Sequence, residues 1–334
     1  MSTPITLINT SGRPCESQAS TVKTDLAAQS QASLTETAKT AISNFIQRLN
    51  ISVPKFARDL ELEQRVSEVM NSWACPSCPQ PYVSAAIDIT ALAYSHVTSP
   101  EAKVEIAIFT ALAITLDDPA ILGSLSSEDF CHDLATGRIH ADDGYLGEYV
   151  RSLARMWKHF PRMSSGFIFT SGISFIDGCI LENTYHEPIV STQFIEYRRV
   201  KTGICDAYGC FIWELAQFPD EKGFMQAFPD AATYTNYAHD IMSFYKEILE
   251  GETGNYVQDR ALVSGKSSLE ALNDVIEDTI AIVERVRRIL GEGKARDAWE
   301  SFVAGYICYH VNSTRYRLAD IIETTRGEYR DAKS

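Results

Sequence analysis

The stretch AHDIMSFYKEILE, residues 238–250, sets polar groups at helical spacing inside an otherwise apolar segment. His239, Ser243 and Glu247 follow one another at i, i+4 and i+8, which at about 100° per residue keeps them within about 80° around a helix axis. Lys246 falls in the same stripe, while Ile241, Met242, Phe244 and Tyr245 cover the other faces. A ring nitrogen, a hydroxyl, a carboxylate and an ammonium on one line make a place for a hard cation carrying an anionic ligand. Magnesium suits it, because Mg²⁺ takes oxygen ligands octahedrally and reaches proteins through one or two carboxylates plus substrate phosphates. The lysine would then touch the phosphate. Taken alone, the same stripe also fits an amphipathic helix with its polar face in water.

Other residues could join this chemistry. Asp117 and Asp118 close the apolar run VEIAIFTALAITL, and two carboxylates at the mouth of a buried cavity are costly unless a cation or base pairs with them. As solvated acids at a helix C-terminus they would oppose the helix dipole. The run EYRRVKTGI, residues 196–204, places two arginines ahead of a Thr-Gly. Arginine offers a planar fork for phosphate, and glycine lets the backbone leave the helix and approach a ligand.

Several familiar constellations fail. SGKSS at 264–268 contains GKS, but a phosphate loop needs glycine where Arg260 stands. Glu128 with His132 and Glu182 with His186 are spaced i, i+4, whereas di-iron bundles use i, i+3. Cys75 and Cys78 form a lone CxxC between prolines, without the second pair that a zinc site requires.

The elements that must position these residues read as helices. The patterns predict helices over 37–49, 56–73, 82–96, 101–118, 127–136, 144–158, 163–185, 194–217, 231–251, 268–292 and 296–325. No alternating apolar run is flanked by hairpin dipeptides, so the expected fold is all-α. Residues 101–118 are apolar almost all round and belong at the centre of a bundle. Residues 1–33, rich in Ser, Thr, Gln and Ala, are expected to form a disordered tail before a single domain over 34–330.

Composition narrows the function. The 334 residues are 45% apolar, enough for a substantial core. A formal charge of −14 opposes nucleic-acid binding and fits a protein that holds cations. No long uncharged apolar run and no N-terminal signal pattern are found, so no stable membrane insertion and a cytoplasmic location are expected.

The motifs together resemble a known family. HDIMSFYKE is similar to the second metal-binding motif of class I terpene synthases, most closely that of the fungal trichodiene synthase family of sesquiterpene cyclases. His239 stands where that pattern has Asn. DDPAI resembles the family's Asp-rich motif, truncated because Ile121 replaces its further acid. Arg199, Thr202 and Gly203 fit the spacing of the diphosphate-sensing segment better than Arg198 does. GYICYHVNSTRYRL, residues 305–318, is similar to the closing helix, with Arg315 and Tyr316 as its Arg-Tyr pair. FIDGC, residues 175–179, matches an aromatic-lined segment. The likeness spans roughly residues 80–325.

The resemblance implies a helical bundle around a deep apolar cavity, acting on farnesyl diphosphate with three Mg²⁺ ions. Asp117, His239, Ser243 and Glu247 would hold the metal, and Asp118 would pair with an arginine. Arg199, Lys246, Arg315 and Tyr316 would grip the diphosphate, and closure of the mouth would trigger ionisation. Imidazole is a poor magnesium ligand and a better one for manganese, so Mn²⁺ is a second candidate. The cavity would be dry and lined by Phe175, Tyr306 and Tyr309, with Phe109 and Trp213 as further candidates, because aromatic faces stabilise a carbocation. No acid or base stands out inside it, which leaves the diphosphate to take the final proton. The resemblance also allows a homodimer. Alternatives are a cyclase for geranyl or geranylgeranyl diphosphate, a helical protein that binds a prenyl diphosphate without turning it over, and a helical carrier with no diphosphate chemistry.

Overall fold

The computed structural model describes residues 16–318 other than 53, 126–127 and 140–142, with side chains from residue 33 onward. Fourteen α-helices occur among the described residues and no strand does. They are α1 (Glu16–Leu49), α2 (Leu60–Asn71), α3 (Gln80–Ala93), α4 (Pro100–Asp117), α5 (Pro119–Leu122), α6 (Phe130–Ala135) and α7 (Gly144–Arg155). There follow α8 (Arg162–Thr184), α9 (Thr192–Thr202), α10 (Cys205–Cys210), α11 (Phe228–Glu250), α12 (Tyr256–Ser264), α13 (Ser268–Leu290) and α14 (Lys294–Asn312). The fold is all-α.

Local chemistry sets the helix ends. Ser99 caps α4 by accepting from the Ala102 amide, with Pro100 in the first turn. Ser267 and Glu270 close a capping box at the start of α13. Gly251, at φ 67°, ends α11 in the left-handed conformation that glycine adopts without penalty.

Helix α4 is buried along most of its length, from Ala102 to Leu116, as its all-round apolar sequence requires. It lies against α3, α7 and α8, while α11 lies against α10, α13 and α14. Helices α14 and α3 approach very closely: a Cβ at Gly305 would sit 2.0 Å from the Leu92 carbonyl oxygen. Only glycine permits that crossing. Helix α8 has the length and mean hydropathy, 1.3, of a membrane-spanning segment, but half of that stretch is buried against the rest of the bundle.

Several expectations need correction. The helix expected over 194–217 breaks after Thr202 and restarts at Cys205, because Ile204 takes φ 48°. A β-branched residue in the left-handed region is strained, and periodicity does not reveal such a break. The patterns predict no helix at α12, whose nine residues have weak amphipathic patterning. The last helix stops at Asn312, with a 3-10 turn over Thr314–Tyr316; residues 319–325 of the expected helix lie outside the described residues. Of the tail expected over 1–33, residues 1–15 also lie outside them, and the backbone from Glu16 is helical.

Candidate active site

The helices leave a cavity of about 190 Å³ whose wall is drawn from seven of these segments: α3, α4, α8, α9, α10, α11 and α14. The 3-10 turn after α14 completes its rim with Arg315 and Tyr316. Of the residues singled out from sequence, Asp117, Phe175, Arg199, Thr202, Gly203, His239, Tyr306, Tyr309, Arg315 and Tyr316 all line it. Residues as far apart in the chain as Ile89 and Tyr316 therefore supply one chamber.

Asp117 and Asp118 have different environments. Asp117 is open to solvent through the cavity mouth yet crowded by protein, and this desolvation raises its pKa against the opposing pull of the Cys179 thiol, Arg315 and Arg199. Among the described residues Asp118 pairs with no arginine, contrary to expectation. Its Oδ2 accepts from the Tyr82 hydroxyl at 2.7 Å, and its Oδ1 caps α5 through the Ala120 amide at 2.9 Å. The Tyr82 hydrogen bond and the α5 amides hold its pKa low. The second carboxylate thus sits at the favourable N-terminal end of a new helix, because Pro119 starts one there.

Arg199 donates Nε and Nη2 to the two oxygens of Asp240, both at 2.8 Å. Burial opposes both charges, but each is held ionised by the other, so the Arg199 pKa is raised and that of Asp240 lowered. Arg198 instead donates to Asp259, outside the cavity wall. Next to the break, Asn236 Nδ2 donates to the Arg199 carbonyl at 3.2 Å. Gly203 itself has ordinary right-handed geometry, φ −86°, so the backbone departure belongs to Ile204. Gly203 matters because Asn236 occupies the space of its missing side chain.

The polar stripe of α11 faces the protein interior rather than water: Ser243 is 2% exposed and Glu247 9%. Burial raises the Glu247 pKa. The buried Ser243 hydroxyl makes no hydrogen bond with acceptable geometry, although it lies near Glu247. An orphaned hydroxyl beside a desolvated carboxylate is a donor set suited to a hard divalent cation, so these residues fit Mg²⁺. No three His, Cys, Asp or Glu side chains converge as a preformed metal cage among the described residues. Ser243 and Glu247 lie outside the cavity wall itself, one and two turns along α11 from His239. The imidazole of His239 lies 3.4 Å from Asp240 through Nδ1.

Lys246 also lies outside the wall. Its Nζ is 2.7 Å from Glu252 and 3.3 Å from Glu250. Burial works against its charge, but these carboxylates outweigh it and raise its pKa. Two aromatic assignments are corrected. Trp213 is fully buried in the core, stacked on Phe224 at 4.6 Å and donating Nε1 to the Ala295 carbonyl. Phe109 lies one layer behind the wall, with its ring stacked on Tyr149 and edge-on to Tyr208. Phe109 belongs to the apolar α4, and Trp213 lies in the turn that follows α10; which way either ring faces is not fixed by periodicity.

Sequence reasoning missed Tyr208, Asn236 and His310, all of which line the cavity. Asn236 lies three residues before His239 and so extends its stripe by one turn. His310 follows Tyr306 by four residues on the same helix face.

An all-α bundle whose cavity brings the Asp117 carboxylate, Arg199, Arg315 and His239 together with aromatic rings has donors for an anionic head group and an apolar wall for a hydrocarbon tail. Residues 65–334 match the family model described as trichodiene synthase. The chain belongs to this family of terpene synthases, which makes it a lyase-type terpene synthase. It is 42% identical to Monoterpene synthase 25 of Postia placenta over 85% of this chain and 86% of that one. It is 27% identical to longiborneol synthase CLM1 of Gibberella zeae, over 84% and 86% of the two chains. In fold it is similar to the linalool/nerolidol synthase of Streptomyces clavuligerus, with a TM-score of 0.54 at 14% identity over 78% of this chain and 99% of that one.

Proposed function

We propose that the protein is a class I cyclase that ionises farnesyl diphosphate with Mg²⁺ and closes the resulting carbocation to a cyclic hydrocarbon, releasing diphosphate. The observation that carries this reading is a single cavity whose wall combines Asp117, Arg199, His239, Arg315 and Tyr316 with the rings of Phe175, Tyr208, Tyr306 and Tyr309. The bound cations would neutralise charge building on the leaving diphosphate. Asp117, Ser243, Glu247 and His239 would hold them. Arg199, Arg315 and Tyr316 bind and orient the diphosphate, so their donors act most strongly as the C–O bond breaks. Lys246 can join them only by giving up Glu252 and Glu250. The aromatic rings exclude water and present negative faces to the cation.

Geranyl diphosphate is the second reading. A cavity of about 190 Å³ is small, and a similar relative is named a monoterpene synthase. Incubation with geranyl, farnesyl and geranylgeranyl diphosphates, each with Mg²⁺, Mn²⁺ or EDTA, followed by gas chromatography, decides between them. A metal-dependent cyclic product from farnesyl diphosphate supports the first reading, and one from geranyl diphosphate alone selects the second. Metal-dependent binding without product would instead identify a non-catalytic binder.

A further inference from the structure

The helices that wall the cavity also show where it ends. On α4 the lining residues are Thr110, Ala113, Ile114 and Asp117, one stripe that finishes at the last residue of the helix. At about 1.5 Å per residue, Thr110 lies about 10 Å from Asp117 along the axis. The next places on that stripe, Ile106 and Ala107, are fully buried and no longer line the cavity, so this wall ends at Thr110. Tyr208 on α10 stands at the same end, only partly buried and facing the chamber. Burial pushes its phenol up to about 12 against the pull of the Thr110 hydroxyl beside it, so the side chain is neutral. Phe109 and Phe211, both fully buried and outside the wall, meet its ring edge-on at 6.1 and 5.8 Å between centroids. Tyr208 therefore separates the cavity from an apolar layer behind it. Its backbone is fixed: the Tyr94 hydroxyl donates to the Tyr208 carbonyl at 2.9 Å, and a Cβ at Gly209 would come within 3.2 Å of Ala232 on α11. With α10 held this tightly, the side chain at 208 decides how far the chamber reaches.

We propose that the Tyr208 ring sets the length of prenyl tail that the cavity takes, by closing the end that lies away from Asp117. This rests on the cyclase reading above and names the residue that chooses among its substrates. Geranyl, farnesyl and geranylgeranyl diphosphates share one head group and differ by an isoprene unit at the far end of the tail. The charged residues that grip diphosphate meet the same group in all of them, so discrimination falls to the closed end of the chamber. A single methylene in an apolar pocket is worth about 10–200-fold in specificity, and a ring that stands where an isoprene unit would go exceeds that need. Tyr306 lines the same cavity but serves a different purpose. Its hydroxyl donates to the Thr235 carbonyl at 3.0 Å and Phe302 stacks on its ring, so it braces α14 against α11. Truncation of Tyr208 instead joins the cavity to the faces of Phe109 and Phe211.

Tyr208→Ala, Tyr208→Leu and Tyr208→Phe test the proposal, each assayed as the whole chain with geranyl, farnesyl and geranylgeranyl diphosphates and Mg²⁺. The readout is the ratio of kcat/KM between neighbouring diphosphates, longer over shorter, which a general loss of active protein leaves unchanged. Melting curves establish folding. Tyr208→Ala is expected to raise that ratio about tenfold or more over wild type, and Tyr208→Leu to raise it by less. Tyr208→Phe keeps the ring and should leave the ratio within about twofold. An unchanged ratio in folded Tyr208→Ala overturns the proposal, as does a folded Tyr208→Ala that turns over none of these diphosphates. A Tyr208→Phe shift as large as that of Tyr208→Ala also overturns it, because the hydroxyl rather than the ring would then be the determinant. Where Tyr208→Ala does not fold, Tyr208→Leu decides on the same terms. Competition by saturated alkyl diphosphates of increasing length adds a check on the wild-type protein: affinity should rise with each carbon until the tail meets the ring and then fall. A steady rise beyond the length of the best substrate overturns the proposal. Failure of the wild-type protein to make product from any prenyl diphosphate would instead overturn the cyclase reading beneath it.

Discussion

A Cβ placed on Gly203 would lie 1.9 Å from Asn236 Oδ1, so the Asn236 side chain of α11 holds its place at the end of α9 only because residue 203 has no side chain. The same contact lets Asn236 reach the Arg199 carbonyl and tie the last turn of α9 to the cavity wall.

Gly203→Ala is therefore expected to displace Asn236 and with it the backbone that carries Arg199. Overpacking of this kind costs about 1–3 kcal/mol. Denaturant titration should show the loss of stability, and turnover should fall by more than tenfold because Arg199 moves, a size consistent with a misplacement of about 1 Å.

Arg199→Ala should differ sharply from Arg198→Ala. The first leaves Asp240 buried with only His239 beside it, a broken buried pair that costs up to about 3–5 kcal/mol, and also removes a donor from the cavity wall. The second breaks a pair outside the wall and should lower stability with little change in the Michaelis constant for the diphosphate. Steady-state kinetics with melting curves for both variants check this.

Ser243→Ala removes a hydroxyl that has no well-formed hydrogen bond among the described residues, so stability should stay the same or rise slightly. If Ser243 binds Mg²⁺, the metal concentration for half-maximal diphosphate release should rise about tenfold or more in the variant, because one ligand is gone. Titration with Mg²⁺ against a wild-type control gives the answer.

Phe175→Ala and Trp213→Ala should separate cavity from core. Phe175 lines the chamber, so its truncation should alter the product mixture as well as stability. Trp213 lies in the core, and its loss should cost about 3–5 kcal/mol with the product ratios of the surviving enzyme retained. Gas chromatography of the products resolves the two.

Burial depresses the pKa of His310, which makes stability depend on pH. The unfolded chain binds a proton near the ordinary histidine value of about 6.5, and the folded state resists it until about pH 3. Its contribution is therefore complete above about pH 6.5 and is lost as the pH falls toward 3, amounting to about 2 kcal/mol at pH 5. The melting temperature of the wild-type protein should drop between pH 7 and pH 5 by more than that of His310→Phe.

Much of this site could be read in the chain, because helices carry their chemistry as periodic patterns. The i, i+4, i+8 stripe of His239, Ser243 and Glu247 and the all-round apolar α4 each follow from local spacing; α4 is buried as its pattern implies, while spacing left open that Ser243 and Glu247 turn inward. What local spacing cannot give is which helix faces another and where a helix breaks. Trp213 and Phe175 look alike as aromatic residues on apolar helical runs, yet packing sends one to the core and the other to the cavity. The strained φ of Ile204, the pairing of Asp118 with Tyr82 and the unpaired Nε2 of His310 all arise where distant segments meet. The sequence by itself determined the helices and the types of group they bring. The tertiary structure decided which groups are paired, which are left unsatisfied and which share a chamber, because those outcomes depend on contacts between residues far apart in the chain.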